Sequence, residues 1–261
     1  MAMSVFVIGE MASAHDGDLD KAKQLVDVAV DAGCDAVKAQ FWSDADQLAD
    51  RRKVPQYYRD IYKKYQMPVE WLRLLKDYCG DRIEFMVTCF LPEDVATISP
   101  FVKRFKVSAF ESEANDLLRA VFGIAGDRSV ITSVNKTLPI SKSLDLRIGE
   151  IDVLMYCESH YPAPLTSVNL KQIRNYLSGL VGFSDHTGDL DMGAYAVCAG
   201  ATYIEAHMKL VDTDGLNPDG GSFAHSPQAF RQYVRNIRKA ELVSSGAASS
   251  SLVNQYRVVT A

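Results

Sequence analysis

The stretch Val181-Gly182-Phe183-Ser184-Asp185-His186-Thr187-Gly188 is a short apolar run that ends abruptly in a polar cluster with a histidine. After a helical pattern, Thr202-Tyr203-Ile204-Glu205-Ala206-His207 repeats this arrangement. A strand–helix–strand unit of this kind brings both histidines to one edge of a parallel sheet, where neighbouring strands lie about 4.8 Å apart. The two imidazoles are then close enough to share a metal ion. The alternative is a pair of unrelated histidines at loop boundaries.

Similar apolar runs and helical patterns alternate along the rest of the chain. The other strands are predicted at 5–10, 35–41, 83–88, 102–107, 129–133 and 152–157. Predicted helices begin at Asp18 and at 93–98, 115–125, 140–148, 167–177, 191–198 and 227–243. Strict alternation with eight strands predicts an α/β fold, a closed (β/α)8 TIM barrel. An open doubly wound sheet is the alternative, disfavoured because no Gly-x-Gly-x-x-Gly turn follows the first strand.

The composition indicates one soluble domain. The chain has 261 residues, 48% of them hydrophobic and 23% charged, which is enough for one large core. A net charge of -5 argues against a nucleic-acid-binding protein, whose surface would be basic. No apolar run resembles a signal peptide or a membrane span, and the five cysteines have no CxxC spacing. We therefore expect a reduced, cytoplasmic protein with a barrel over residues 1–243 and a flexible tail over 244–261.

The loop after the second predicted strand is unusual. Its residues, 42–67, interleave basic side chains with tyrosines. One interpretation is a lid over an anionic substrate, and the other is an ordinary solvated helix with tyrosines packed beneath it.

Polar residues at the carboxyl ends of strands build the active sites of such barrels. Here these ends carry Glu10, Lys38, Gln40, Thr88, Lys106, Ser108, Glu111, Ser133, residues 158–161, Ser184, His186, Glu205 and His207. A lysine inside a strand is costly to bury unless it meets an anion. Lys38 and Lys106 therefore predict a phosphate or carboxylate site, and structural salt bridges to Glu10 and Glu111 are the alternative.

These side chains fit two kinds of chemistry. Two histidines can hold a divalent ion that acts as a Lewis acid on a carbonyl, and the lysines can hold an anionic partner beside it. An enzyme that joins an anionic carbon nucleophile to an aldehyde needs this combination, but so does a metal-dependent hydrolase.

The order and spacing of several motifs are similar to those of a known family. The chain resembles the catalytic barrel of the sialic acid synthases over roughly residues 5 to 240. The motifs are Gly9-Glu10 with His15-Asp16-Gly17, Lys38-Ala39-Gln40, Phe105-Lys106-Val107 with Glu111, Tyr161-Pro162, Gly182-Phe183-Ser184-Asp185-His186-Thr187, Glu205-Ala206-His207 and Asn217-Pro218-Asp219.

The resemblance implies a carbohydrate-biosynthetic condensation of phosphoenolpyruvate with an aldose, which gives a 2-keto-3-deoxy sugar acid and phosphate. His186 and His207 would bind the metal ion, Mn²⁺ first, with Mg²⁺ or Co²⁺ as alternatives. Phosphoenolpyruvate would be bound by Lys38, Thr88, Lys106, Ser133 and Ser184. Glu10 would transfer protons, Asp219 would lie close to the metal, and Gln40 and Glu111 would lie near the sugar. Ser159 and Tyr161 would also bind substrate. A homodimer is expected by the same analogy.

The positions at which the sequence differs from the family's motifs bear on the aldehyde substrate, the acceptor of the condensation. Ala14, Ala109 and Ser159 replace polar family residues, and we expect no counterpart of the family's carboxyl-terminal antifreeze-like domain after residue 243. We therefore expect an aldehyde smaller than or different from N-acetylmannosamine. A metal-dependent hydrolase or lyase and a catalytically inactive sugar-binding barrel stay as alternatives.

Overall fold

Eight parallel strands in sequential order form a closed barrel at the centre of the computed structural model, which describes residues 4–135, 152–175 and 180–245. The first strand pairs with both the second and the eighth, so the predicted TIM barrel is confirmed and the open sheet is excluded. The strands are β1 Phe6–Ala12, β2 Ala36–Phe41, β3 Glu84–Cys89, β4 Phe105–Val107, β5 Val130–Asn135, β6 Val153–Cys157, β7 Leu180–Asp185 and β8 Tyr203–His207.

Helices cover the outside of the barrel. The first begins where Asp18 accepts hydrogen bonds from the backbone N–H groups of Asp20 and Lys21, and it ends at Gly33 in the left-handed conformation. In the described residues, the helices are Leu19–Ala32, Ala45–Arg52, Gln56–Tyr65, Glu70–Cys79, Asp94–Ile98, Asn115–Ala125, Lys171–Asn175, Met192–Cys198 and Pro227–Ser245. None of these helices has both the length and the apolar character that a membrane span requires.

The structure differs from the predicted elements in three places. The insertion 42–67 forms two helices, and Glu70–Cys79, which the sequence analysis did not predict, is the helix that returns the chain to β3. The last helix continues two residues past the predicted end of the barrel domain, to Ser245. The helix predicted at 140–148 and the rest of the predicted tail, 246–261, lie outside the described residues.

An apolar layer fills the lower half of the barrel interior. Ile8, Met86, Ile131, Met155 and Tyr203 belong to one buried cluster, and they point inward from five different strands. Two residues further along their strands, the inward-facing positions become polar, because side chains alternate with a period of two. The apolar layer therefore closes the barrel from below and fixes the depth at which polar groups begin.

One inward position in this layer has no side chain. A Cβ atom at Gly182 would lie 2.7 Å from Met155 Cγ and 2.9 Å from Tyr203 Cβ. Both distances are shorter than ordinary carbon contacts, so the glycine leaves the space that its larger neighbours fill.

We expect Gly182→Ala to lower the free energy of unfolding by about 1–3 kcal/mol, because the added methyl overpacks the barrel interior. The matched control is Gly123→Ala in the helix Asn115–Ala125, where no atom lies within 4 Å of an added Cβ. That change should leave stability unchanged or raise it by up to about 1 kcal/mol. Urea unfolding followed by circular dichroism measures both, and equal effects would contradict the packing argument.

Candidate active site

The carboxyl ends of the strands open into a cavity of about 440 Å³. Of the thirteen predicted site residues, twelve line it. They are Glu10, Lys38, Gln40, Thr88, Lys106, Ser133, Ser159, Tyr161, Ser184, His186, His207 and Asp219. Glu111, the thirteenth, is buried and does not appear among the lining residues that the structure describes.

Strand register explains why these residues converge. Glu10 pairs in register with Lys38 on one side and with His207 on the other. Thr88 likewise pairs with both Gln40 and Lys106. Residues that are paired across parallel strands lie at the same height, so their inward-facing side chains meet around the barrel axis.

Two ammonium groups lie at the bottom of the cavity. Lys38 Nζ donates to Thr88 Oγ1 at 2.8 Å, and Lys106 Nζ donates to Ser133 Oγ at 2.9 Å. Lys38 also forms a close ion pair with Glu10. Each lysine thus has one hydroxyl partner from the adjacent strand, as the predicted anion site requires.

Glu205 lies between the two lysines. Its Oε2 is 3.7 Å from Lys38 Nζ and its Oε1 is 3.6 Å from Lys106 Nζ. Its Oε1 also accepts a hydrogen bond from Ser184 Oγ at 3.2 Å. The carboxylate therefore balances the charge of the two lysines.

Burial and charge act against each other on these groups. Burial would raise the pKa of Glu205, but the two lysines outweigh it and lower this pKa to about 2. Burial would lower the pKa of Lys38, but Glu10 and Glu205 raise it. For Lys106 burial dominates and lowers the pKa, and burial also raises the pKa of Glu10. Of the two carboxyl groups in this network, Glu10 therefore holds a proton more readily than Glu205.

The two predicted metal ligands face each other across the cavity. The ring centroids of His186 and His207 are 5.3 Å apart. His186 Nδ1 lies 2.7 Å from the backbone oxygen of Glu158, and His207 Nδ1 lies 3.1 Å from Asp219 Oδ1. Because a backbone oxygen can only accept a hydrogen bond, Nδ1 of His186 carries the proton and its Nε2 keeps a lone pair for a ligand. Asp219 lies within ion-pair distance of His207 Nδ1.

The same groups set the charge of the two imidazoles. Burial lowers the pKa of His186 to about 3, so that ring is neutral. Burial would also lower the pKa of His207, but the Asp219 carboxylate outweighs it and raises the value.

These imidazoles fit a divalent ion. An imidazole nitrogen binds such an ion at about 2.0–2.1 Å, which is compatible with rings at this separation, and an oxygen partner on Nδ1 is the usual support of a metal-binding histidine. In the described residues, no group of three or more His, Cys, Asp or Glu side chains is arranged to hold a metal. The protein would therefore supply two ligands and leave the other positions to substrate and water.

The loop 217–219 is fastened to the loop after β1. Asp219 Oδ2 accepts a hydrogen bond from the backbone N–H of Ser13 at 3.0 Å, and Asn217 Nδ2 donates to Asp16 Oδ1 at 2.7 Å. His15 is buried and packs edge-on against Trp71, with ring centroids 5.4 Å apart. The motif His15-Asp16-Gly17 thus acts as a support that holds Asp219 against His207.

Aromatic side chains surround the histidines. Tyr161 stacks on His186 with ring centroids 4.0 Å apart, and Phe223 packs edge-on against His207 at 5.1 Å. Ser159 accepts a hydrogen bond from Asn135 Nδ2 at 2.7 Å, which fixes its hydroxyl at the cavity wall. The upper cavity is thus mostly apolar, with few polar groups.

Glu111 is paired with Arg52, a residue that was not predicted as part of the site. Arg52 lines the cavity and its Nε donates to Glu111 Oε1 at 2.8 Å, while Ser108 hydrogen bonds to the other carboxylate oxygen. The alternative that Glu111 forms a salt bridge with a strand lysine is therefore wrong, because the Glu111 carboxylate is paired with the guanidinium of Arg52.

Comparison with known proteins identifies the chain. A sequence profile described as the NeuB family matches residues 25–248. The chain belongs to the NeuB family. Relatives include the spore coat polysaccharide biosynthesis protein SpsE of Bacillus subtilis, 29% identical over 98% of this chain and 74% of the relative. The N,N'-diacetyllegionaminic acid synthase of Legionella pneumophila is 30% identical over 93% of this chain and 74% of the relative.

Solved structures agree with the barrel. The crystal structure of SpsE from Bacillus subtilis superposes with a TM-score of 0.79 at 29% identity, over 94% of this chain and 71% of that one. The N-acetylneuraminic acid synthetase of Leptospira borgpetersenii, in complex with citrate, superposes with a TM-score of 0.83 at 23% identity, over 97% of this chain and 91% of that one. At that identity, the second comparison supports the fold alone.

Two residues of this NeuB barrel were missed as site residues. Glu205 has a visible signal, because it lies two positions before His207 on the same strand and so shares its face. Arg52 has no such signal, since its position depends on how the insertion folds back over the cavity.

The buried Glu10–Lys38 pair predicts a strong coupling. We expect Lys38→Met to lower the free energy of unfolding by about 3–5 kcal/mol, because Glu10 is left buried without its cation. Glu10→Gln should cost less, since Lys38 keeps Glu205. The double variant should be more stable than the sum of the single effects by about 1 kcal/mol or more. Urea unfolding of the four proteins measures this, and additive effects would contradict the pairing.

Proposed function

We propose that the chain condenses phosphoenolpyruvate with an aldose, which gives a 2-keto-3-deoxy sugar acid and inorganic phosphate. The observation that carries the proposal is the pair Lys38 and Lys106, buried with hydroxyl partners beneath two imidazoles in one cavity. The names of the relatives, which include legionaminic and pseudaminic acid synthases, support the same reaction class. A homodimer and a cytoplasmic location stay predictions.

The lysine end of the cavity fits phosphoenolpyruvate. This substrate carries a phosphate and a carboxylate on one small carbon frame, so it needs two cations at a short separation. Lys38 and Lys106 supply them, and Thr88, Ser133 and Ser184 supply hydroxyl donors. On binding, the substrate replaces Glu205 as the partner of the lysines, which fixes its orientation toward the histidines above.

The reaction then follows from the position of the groups. Carbon 3 of the enol attacks the aldehyde carbon, a carbon–carbon bond forms and the aldehyde oxygen takes a proton. Water adds at carbon 2, the bond between carbon 2 and the phosphate oxygen breaks, and phosphate leaves as the ketone forms. The lysines stabilise the negative charge of this tetrahedral stage better than that of the ground state.

Glu10 is the proposed proton-transfer group. It lies in register between Lys38 and His207, and Gln40 Nε2 donates to its Oε1 at 3.2 Å. Its raised pKa suits a group that takes a proton from the attacking water and returns it. Gln40, Ser159 and Tyr161 would contact the sugar.

A divalent ion held by His186 and His207, for which we propose Mn²⁺ with Mg²⁺ or Co²⁺ as alternatives, would act as a Lewis acid on the aldehyde oxygen. Asp219 keeps His207 oriented for this task by its contact with Nδ1. Tyr161 and Phe223 exclude water from the same corner of the cavity.

We expect phosphate release from phosphoenolpyruvate and Mn²⁺ only when an aldehyde is present. Lys106→Met should lower kcat/KM for phosphoenolpyruvate by about 10²–10³, because the transition-state charge loses a cation. Lys103→Met, an exposed lysine outside the cavity, is the control and should be unchanged. Release without aldehyde would instead support a hydrolase, and no release with any aldose would support a sugar-binding barrel.

His186→Ala and His207→Ala should each abolish stoichiometric Mn²⁺ binding and activity together. Asp219→Asn should weaken Mn²⁺ binding by about 10–100-fold, since the carboxylate only supports a ligand. His160→Ala is the control, because this histidine is 71% exposed and does not line the cavity. Equilibrium dialysis with Mn²⁺ measures binding separately from catalysis. Full metal binding after loss of either cavity histidine would refute the assignment.

A further inference from the structure

We propose that the acceptor is an uncharged aldose without a phosphate group, and that Arg52, neutralised by Glu111, is the residue that selects it. The inference rests on the proposed function and concerns the upper end of the same cavity. It comes from the ion pairs that the basic residues of the insertion 42–67 form.

Few cations are available to bind an acceptor. Among the described residues that line the cavity, the Lys and Arg side chains are Lys38, Lys106 and Arg52. The two lysines lie at the bottom and serve phosphoenolpyruvate. Among the residues that the structure describes, Arg52 is therefore the cation that a phosphate on the acceptor would have to use.

All three guanidinium nitrogens of Arg52 already have polar partners within the protein. Its Nη2 lies 2.7 Å from Glu111 Oε1, and its Nη1 donates to Tyr62 Oη at 3.1 Å. The guanidinium carbon lies 4.7 Å from the centroid of the Phe90 ring and 4.9 Å from that of Phe110. The positive charge is compensated by a buried carboxylate and enclosed by aromatic rings, so this wall of the cavity is neutral overall.

The other basic residues of the insertion are also accounted for. Lys53 is exposed and lies outside the cavity lining. The remaining four pair with acids outside the cavity: Arg51 with Asp116, Arg59 with Asp46 and Asp50, Lys63 with Asp46, and Lys64 with Asp214. Asp116 lies in the first turn of the helix Asn115–Ala125 and Asp214 lies in the loop after β8, so these two pairs fasten the insertion to the barrel. The insertion thus contributes Arg52 and aromatic side chains to the cavity lining, while its other basic residues face acids or lie outside that lining. Whether the segment acts as a lid over an anionic substrate stays a prediction.

The rest of the upper cavity is aromatic. Its lining includes Trp42, Tyr58, Tyr62, Tyr65, Phe90 and Phe110. Tyr58 and Phe110 are 46% and 68% exposed, so they present aromatic surface to solvent at the mouth of the cavity. Aromatic rings with a few hydrogen-bonding groups fit the carbon face and hydroxyls of a neutral sugar. A phosphate dianion would be desolvated there without an unpaired cation.

The closing experiment compares matched pairs of acceptors. N-acetylmannosamine, mannose and arabinose are each assayed against their terminal phosphate esters with phosphoenolpyruvate and Mn²⁺, and the 2-keto acid product is measured by mass spectrometry. We expect the free sugar of every active pair to have a kcat/KM at least about tenfold higher. Calorimetric titration of the same sugars, without phosphoenolpyruvate, measures acceptor binding by itself.

Variants then test the role of Arg52. Glu111→Gln leaves the guanidinium uncompensated, so the preference for the free sugar should fall by about tenfold. Asp116→Asn is the matched control, because it removes the partner of the adjacent Arg51 outside the cavity. Arg52→Met, which does not depend on the folding of the first variant, should raise the KM for the sugar and leave the KM for phosphoenolpyruvate unchanged.

The outcomes separate the two proposals. Product from phosphate esters at an equal or higher rate than from free sugars overturns the inference and leaves the condensation standing. An unchanged preference in Glu111→Gln, or an Arg52→Met effect on phosphoenolpyruvate alone, also overturns it. If no pair gives product, the condensation fails, and calorimetry decides the inference. Free-sugar binding that Arg52→Met weakens supports it, and absence of binding overturns it.

Discussion

The burial of two ammonium groups inside the barrel is the constraint on which the rest of the site depends. Lys38 and Lys106 can stay charged there only because Glu10 and Glu205 lie beside them. Such a network contributes little net stability, since desolvation of four charged groups offsets most of their attraction. A barrel closed by apolar side chains at the same height would be no less stable. The lysines are therefore explained by an anionic ligand that can take the place of Glu205.

The depth of this network follows from packing below it. The layer of Ile8, Met86, Ile131, Met155 and Tyr203 fills the lower barrel and keeps water out from that side. With a period of two along each strand, the next inward position is the polar one. The histidines and the aromatic rings occupy the level above. Three levels of one barrel thus provide an apolar floor, a layer of two buried lysines with their carboxylate partners, and a layer of histidines and aromatic rings.

Much of this arrangement could be predicted from residues taken singly. The alternation of strand and helix patterns predicted the barrel, and the lysines within strand patterns predicted an anion site. Both signals are local in the chain, so they can be recognised without the fold. Glu205 was seen at a strand end but received no role, since its partners come from three other strands. Glu111 was expected near the sugar, yet the structure places it behind Arg52. Strand periodicity fixes which face a side chain takes, but not which distant charge it meets.

The insertion shows why a count of charges misleads. In the sequence, its basic residues suggest a surface that attracts anions. In the folded protein, most of these side chains form ion pairs with acids, and their charges are compensated. Arg51 pairs with Asp116 at the start of a barrel helix and Lys64 pairs with Asp214 on a barrel loop, so these two residues hold the insertion in place. Arg52 pairs with Glu111 at the cavity wall. Selectivity at this end therefore depends on shape, aromatic surface and one neutralised guanidinium. The two buried lysines lie at the bottom of the barrel, and under the proposed function they are taken by phosphoenolpyruvate, so a phosphate on the second substrate would find them already occupied.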